Sequence, residues 1–149
     1  MLFIPKGGHS RSAAPAFIQD AGRYAPHVLS ILRIVAALLF LEHGTSRLFG
    51  FPSPLPTPAF LSLYWFAGAI ELVGGALLIP GLFTRPAAFI MSGEMAFAYF
   101  MRHAPNDFFP ILNRGDSAIL YCFVFFYIAF AGAGPWSLDA LLERKRSQA

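Results

Sequence analysis

The chain is short of charge and of cysteine. Of its 149 residues, 13% are Asp, Glu, Lys or Arg, where a soluble domain carries roughly a quarter. That scarcity argues against a water-soluble globule. The one cysteine, Cys122, has no partner in the chain for a disulfide or a CxxC redox pair. It reads as a small apolar packing residue. There is no HExxH, no cysteine cluster and no pair of Glu-x-x-His segments of the di-iron type, so no metal site is supported. Neither a phosphate-cradling glycine loop nor a nucleophile elbow is present, and no catalytic residue can be assigned. The net charge of +3 forms no basic stripe interleaved with aromatics, which argues against nucleic acid as a partner. The first 26 residues lack a continuous apolar core ahead of a small-residue cleavage site, so they do not read as a signal peptide.

What the chain has is apolar length. Residues of the apolar types make up 56% of it, and Phe occurs 17 times. Stretches 27–50, 59–80, 84–103 and 115–132 each approach the ~20 residues that cross a bilayer. Each carries a carboxylate: Glu42, Glu71, Glu94 and Asp116. An ionised side chain at the bilayer centre costs at least ~2.5 kcal/mol, so a chain that repeats this hides those groups inside a bundle. The expected fold class is all-α, an integral membrane four-helix bundle with the lipid bilayer as its surroundings. One domain over 27–142 is expected, between an N-terminal tail, 1–26, and a basic C-terminal tail, 143–149.

The basic residues give the expected orientation. With four spans the termini share a side, and that side holds Lys6, Arg11, Arg23, Arg85, Arg144, Lys145 and Arg146 against Arg47, Arg102 and Arg114 on the other. The positive-inside rule then puts both termini in the cytoplasm, in a multi-pass protein of the inner membrane. Pro80 and Gly81 end the second span. Thr84 is the expected N-cap of the third, with Pro86 where no backbone donor is needed.

Helical spacing shows which faces are special. Arg33, Ala37, Phe40, Gly44 and Arg47 share one face of the first span, and Ala87, Met91, Glu94, Ala98 and Met101 one face of the third. Ala67, Glu71 and Gly75 align in the second, and small residues so spaced let membrane helices approach closely. At about 1.5 Å of rise per residue, Arg33 lies ~9 Å, and Glu71 and Glu94 ~13–15 Å, from the cytoplasmic ends of their spans. The expectation is an inner layer in which Arg33 meets Glu71 and Glu94, and an outer layer of Glu42, His43, Arg47, His103 and Asp116. A ligand between the helices would draw polar groups from both layers, with Phe40, Met95, Phe97, Tyr99 and Tyr121 as its walls.

Several runs carry a resemblance. They are Arg33 with Phe40-Leu41-Glu42-His43-Gly44 and Arg47-Leu48-Phe49-Gly50, then Glu71-Leu72-Val73-Gly74-Gly75, then Gly81-Leu82-Phe83-Thr84-Arg85 with Ala87-Ala88. Further on come Met95-Ala96-Phe97-Ala98-Tyr99 with His103, Asn113-Arg114-Gly115-Asp116, and a closing Gly132-Ala133-Gly134-Pro135-Trp136-Ser137-Leu138-Asp139. In this order, over 28–142, the chain resembles the DoxX family of small four-helix bacterial membrane proteins. It departs from the family pattern at Arg47, where Lys is usual, at Asp116, often Glu, and at Pro135, often basic. The resemblance implies an accessory subunit of a membrane redox system, such as a quinone oxidoreductase, that interacts with a quinone or a small aromatic compound and with a soluble redox enzyme. No cofactor is evident in the residues themselves, and quinone is the one the resemblance suggests. The alternatives are a proton-coupled small-molecule carrier, using Glu71 and Glu94, and a structural membrane anchor for a soluble partner.

Overall fold

The computed structural model describes residues 16–54 and 56–148. Among them there are six α-helices and no strand. They are α1 (Ala16–Phe49), α2 (Leu63–Leu78), α3 (Thr84–Ala98), α4 (Pro110–Asn113), α5 (Asp116–Ala131) and α6 (Leu138–Arg146); α3 runs without a break into a π-helical turn, Tyr99–His103. The four long helices fall on the four apolar stretches. Lengths differ from expectation. Over Ala21–Phe49, α1 is long and apolar enough to cross a membrane by itself, whereas α2 and α5 are apolar but have 16 residues each. The ends of the shorter helices are set by caps and turns. Ser62 accepts from the Trp65 amide at 3.2 Å to start α2. Gly81, at φ 71°, turns the chain after it, with the Leu82 amide on the Leu77 carbonyl at 3.0 Å.

Helix α1 begins earlier than the sequence suggests. The chain is helical from Ala16 through Pro26, across the boundary expected at residue 26. The first fifteen residues of the expected tail, Lys6 and Arg11 among them, lie outside the described residues. At the other end α6 runs to Arg146, into the expected C-terminal tail.

Packing follows the predicted faces. Helix α1 lies along α2 and α3 along α5, with smaller contacts of α2 on α3 and α1 on α5. Arg33, Ala37 and Phe40, spaced at i, i+4 and i+7, are all buried. Phe40 sits edge-on to Phe125 of α5 at 4.8 Å between ring centres and tilts against Tyr121 at 5.6 Å. Small residues close the α1–α2 seam. A Cβ on Gly44 would lie 2.6 Å from the Leu72 amide nitrogen, and one on Gly75 would lie 3.0 Å from the Ala37 carbonyl oxygen. The two helices therefore touch backbone to backbone, which only glycine allows at this separation.

The closing segment, 132–139, folds back over the end of the helices where α2 turns into α3. Amides of Leu138 and Asp139 donate to the carbonyls of Pro80 and Gly81 at 3.0 and 2.9 Å. The Asp139 carboxylate accepts from the amides of Phe83 and Thr84 at 3.0 and 2.8 Å. This corrects the sequence reading of Thr84 as the cap of α3. Phe83 is the N-cap, in a left-handed conformation with no side-chain bond of its own, and the cap is supplied by Asp139, some 55 residues further along. A carboxylate at that helix end satisfies two orphan amides and complements the helix dipole.

Candidate functional site

The register of the α1–α2 seam decides which charges meet. Because Gly44 lies against Leu72 and Gly68 against Arg47 and Leu48, Glu71 is level with the C-terminal turns of α1. There Arg47 Nε donates to Glu71 Oε2 and Nη2 to Oε1, each at 3.0 Å. The pair is two-pronged, the arrangement in which guanidinium and carboxylate bind most strongly. The Glu71 side chain is 2% exposed and that of Arg47 29%, so one charge is buried and the other partly wet.

This overturns the expected pairing of Arg33 with Glu71 and Glu94. Depth counted from the ends of the apolar stretches assumes that the helices are flush, and they are not. The glycine contacts instead set Arg33 level with Gly81, at the far end of α2. Arg33 is fully buried there and donates through Nη2 to the Trp136 carbonyl at 2.7 Å. Its Nε and Nη1 have no partner among the described residues. Ser30, one turn earlier, accepts from the Trp136 amide at 3.2 Å. Arg33 and Ser30 thus hold the closing segment in place, remote from the acids.

Near Arg47, a cavity of about 560 Å³ opens between α1, α2, α3 and α5. His43, Arg47, Glu71, Glu94 and His103 line it, five of the eight residues singled out from sequence. Arg33, Glu42 and Asp116 do not. Glu42 is exposed on α1, and Asp116 is exposed in the first turn of α5. The expected walls Phe40, Met95, Phe97 and Tyr121 line the cavity, while Tyr99 stands behind His103, stacked on its ring at 6.4 Å.

Both histidines are held by backbone carbonyls. His43 Nδ1 bonds the Leu39 carbonyl one turn back at 2.8 Å, with its ring edge-on to Tyr121. His103 owes its position to the π-helical turn, closed by the Ala104 amide on the Tyr99 carbonyl at 2.9 Å. From there its Nδ1 reaches the Asn113 carbonyl at 3.0 Å. Asn113 is itself pinned, its amide group donating to Asp107 O and accepting from Gly115 N, both at 2.8 Å. Single-turn π segments inside helices are frequent at functional sites. Glu94, one helix over from Glu71, has an Oε2 that is buried without a hydrogen-bond partner among the described residues. Among the described residues no group of three His, Cys, Asp or Glu could hold a metal ion.

Three polar lining residues, Tyr64, Arg102 and Ser117, carry no site signal in the sequence. The guanidinium groups of Arg47 and Arg102 each stand 6.0 Å from the centre of the Tyr64 ring. In the sequence Arg102 stands out only as a flanking charge and Tyr64 not at all. Tyr64 lies in the first turn of α2 and Arg102 in the π-helical turn, and only their juxtaposition with Arg47 marks them. The arrangement can engage a flat molecule between apolar walls while presenting several fixed hydrogen-bonding groups.

Comparison with known proteins gives a consistent result. The DoxX family model matches residues 28–104. An uncharacterized protein of Haemophilus influenzae is 47% identical over 133 residues, covering 83% of this chain and 96% of its own length. An uncharacterized membrane protein of Mycobacterium tuberculosis is 27% identical over 154 aligned residues, covering 90% and 93% of the two chains. No solved structure matches the chain significantly.

Proposed function

The chain belongs to the DoxX family, and from that premise we propose a multi-pass protein of the bacterial inner membrane that binds a quinone or another small aromatic compound. In this reading residues 27–142 form the membrane-embedded unit, a bundle of α1, α2, α3 with its π-helical turn, and α5, with both termini cytoplasmic. The distribution of side chains supports it. Large apolar residues such as Ile31, Val35, Leu38, Val73, Phe89, Phe123 and Phe130 are exposed, while Arg33 and Glu71 are buried. That inside-out pattern suits lipid surroundings and far exceeds the apolar patches that soluble monomers tolerate. The relative from Mycobacterium tuberculosis is itself described as a membrane protein.

The observation that carries the functional reading is the cavity beside the Arg47–Glu71 pair. Its volume is within the range of small-molecule sites, and its walls combine aromatic and aliphatic side chains with a few convergent polar groups. A quinone head group fits that chemistry. Arg102, Tyr64 and Tyr121 can donate to its oxygens, and Phe40, Met95 and Phe97 can pack on its ring. Electrons for such a ligand would come from a soluble redox enzyme docked on the membrane protein, which makes this chain an accessory subunit. A second reading, a proton-coupled carrier, draws on Glu94, whose unpartnered Oε2 next to an ion pair is a natural place to hold a proton.

Mass spectrometry of small molecules retained by gently purified protein tests the first reading. An aromatic compound should co-purify with the wild type and be lost from Ala98→Trp, which fills the cavity from α3. Identical small-molecule content in both proteins would contradict it. Uptake into proteoliposomes that follows an imposed proton gradient would favour the carrier instead.

A further inference from the structure

Residues 81–85 and 132–139 take no part in the cavity. They meet at the opposite end of the bundle, the end that holds both termini. There a cleft of about 760 Å³ opens between the start of α3, the end of α5, the turn of α1 at Pro26 and Leu29, and α6. Arg85, Asp139, Glu143 and Arg146 line it, two charges of each sign. Asp139 is spent on the cap of α3. Arg85 uses one nitrogen only: Nη1 donates to the carbonyls of Ala129 and Phe130 at 3.1 and 2.6 Å, which fixes the guanidinium on the last turn of α5. Gly132 allows this close approach, since a Cβ there would lie 3.1 Å from Nη2. Among the described residues Arg85 Nε and Nη2 have no hydrogen-bond partner, and neither Glu143 nor Arg146 forms an ion pair. Arg85, Glu143 and Arg146 are all exposed, open to whatever lies at the bilayer surface. Beside the cleft, Leu120, Phe123, Tyr127 and Phe130 are exposed at i, i+3, i+7 and i+10, one face of α5, and Tyr127 lines the cleft itself. An apolar helix face thus leads into a mouth of balanced charge.

We propose that this cleft binds the head group of a zwitterionic phospholipid bearing a primary amine, with the phosphate on Arg85 and Arg146, the ammonium on Glu143 and the acyl chains along α5. The proposal rests on the membrane reading above and is independent of the cavity. The free edge of Arg85, Nε with Nη2, is the edge that Arg47 turns to Glu71, and its two parallel donors match a phosphate as well as a carboxylate. Purely basic clusters at this depth favour anionic lipids. Here Glu143 stands in the same cleft, so a head group without an amine leaves it unpaired beside a phosphate, and a trimethylated amine offers it no N–H.

The test is native mass spectrometry of the full chain released from detergent micelles that hold phosphatidylethanolamine, phosphatidylglycerol or phosphatidylcholine with matched chains. The wild type should retain one phosphatidylethanolamine about three- to fivefold more tightly than either other lipid, the scale of one partly wet ion pair. Arg85→Gln with Arg146→Gln should weaken all three lipids by about tenfold, the scale of charge-assisted bonds to the phosphate. Arg146→Gln alone, on exposed α6, keeps that arm readable if the Arg85 change disturbs the end of α5. Glu143→Gln should erase the preference and leave phosphate binding, and Glu143→Lys should reverse it toward phosphatidylglycerol, a change that a merely structural role would not produce. Equal retention of the three lipids by the wild type, or a preference unmoved by Glu143→Lys, would overturn the proposal and leave the membrane reading standing. Deacylated glycerophosphoethanolamine bound as tightly as the lipid would overturn the lipid assignment in favour of a soluble phosphodiester. A chain that stays in solution without detergent and retains no lipid would overturn the membrane reading itself.

Discussion

Gly44 meets Leu72 backbone to backbone, and that contact sets Glu71 against Arg47 rather than against Arg33. A side chain at either glycine of the seam would have to push two helices apart. Gly44→Ala puts a carbon 2.6 Å from the Leu72 nitrogen, and overpacking of this kind costs about 1–3 kcal/mol. Gly93→Ala is the control, with no atom within 4 Å of its added carbon. It should be neutral or slightly stabilising, since alanine favours the helix. Unfolding in mixed micelles by denaturant compares the two, and equal losses would contradict the seam.

The ion pair gives a second expectation. Replacing Arg47 by Leu leaves the Glu71 carboxylate buried without its partner, which should lower stability by about 3–5 kcal/mol. In a double-mutant cycle Arg47→Leu and Glu71→Gln should be strongly coupled, while Arg33→Leu and Glu71→Gln should add. Coupling between Arg33 and Glu71 would mean the helices are in a different register.

Much of this fold is legible in the sequence, and the limit is physical. Periodicity tells which residues share a face, and it correctly put Arg33, Ala37, Phe40 and Gly44 on the buried side of α1 and Glu71 with Gly75 at a close contact. It says nothing of height between helices. That depends on where turns end each helix and where glycines interlock, so Arg33 could be assigned the right face and the wrong partner. Asp139 as the cap of α3 is invisible for a related reason. Capping signals are local in sequence, and this one arrives from the far end of the chain. The π-helical turn that presents His103 likewise has no composition signature, although His43, Glu94 and His103 were recognisable as polar groups in apolar stretches.

The cap from Asp139 should be measurable. Asp139→Ala removes the acceptor of the Phe83 and Thr84 amides and should cost about 1 kcal/mol, as N-cap losses typically do. Hydrogen exchange should quicken at Phe83 and Thr84 and leave the amides of α5 unchanged. Uniform protection in the variant would show that the closing segment does not cap α3.

Orientation is tested by reporter fusions at Ala149 and in the loop around Asn106. We expect the C-terminus to report cytoplasmic and the loop extracytoplasmic, from the bias of basic residues toward the side of the termini. A periplasmic C-terminus would invert the bundle and move His43 and His103 to the cytoplasmic side.

The central claim is that the cavity beside Arg47 and Glu71 is a binding site for a small aromatic molecule, and photolabelling maps it directly. A diazirine-bearing phenol, activated on the protein in micelles and located by peptide mass spectrometry, should label Met95, Phe97 and Tyr121, and excess unlabelled phenol should suppress the signal. Labelling confined to exposed residues outside the cavity such as Phe123 and Phe126, insensitive to competitor, would contradict the account.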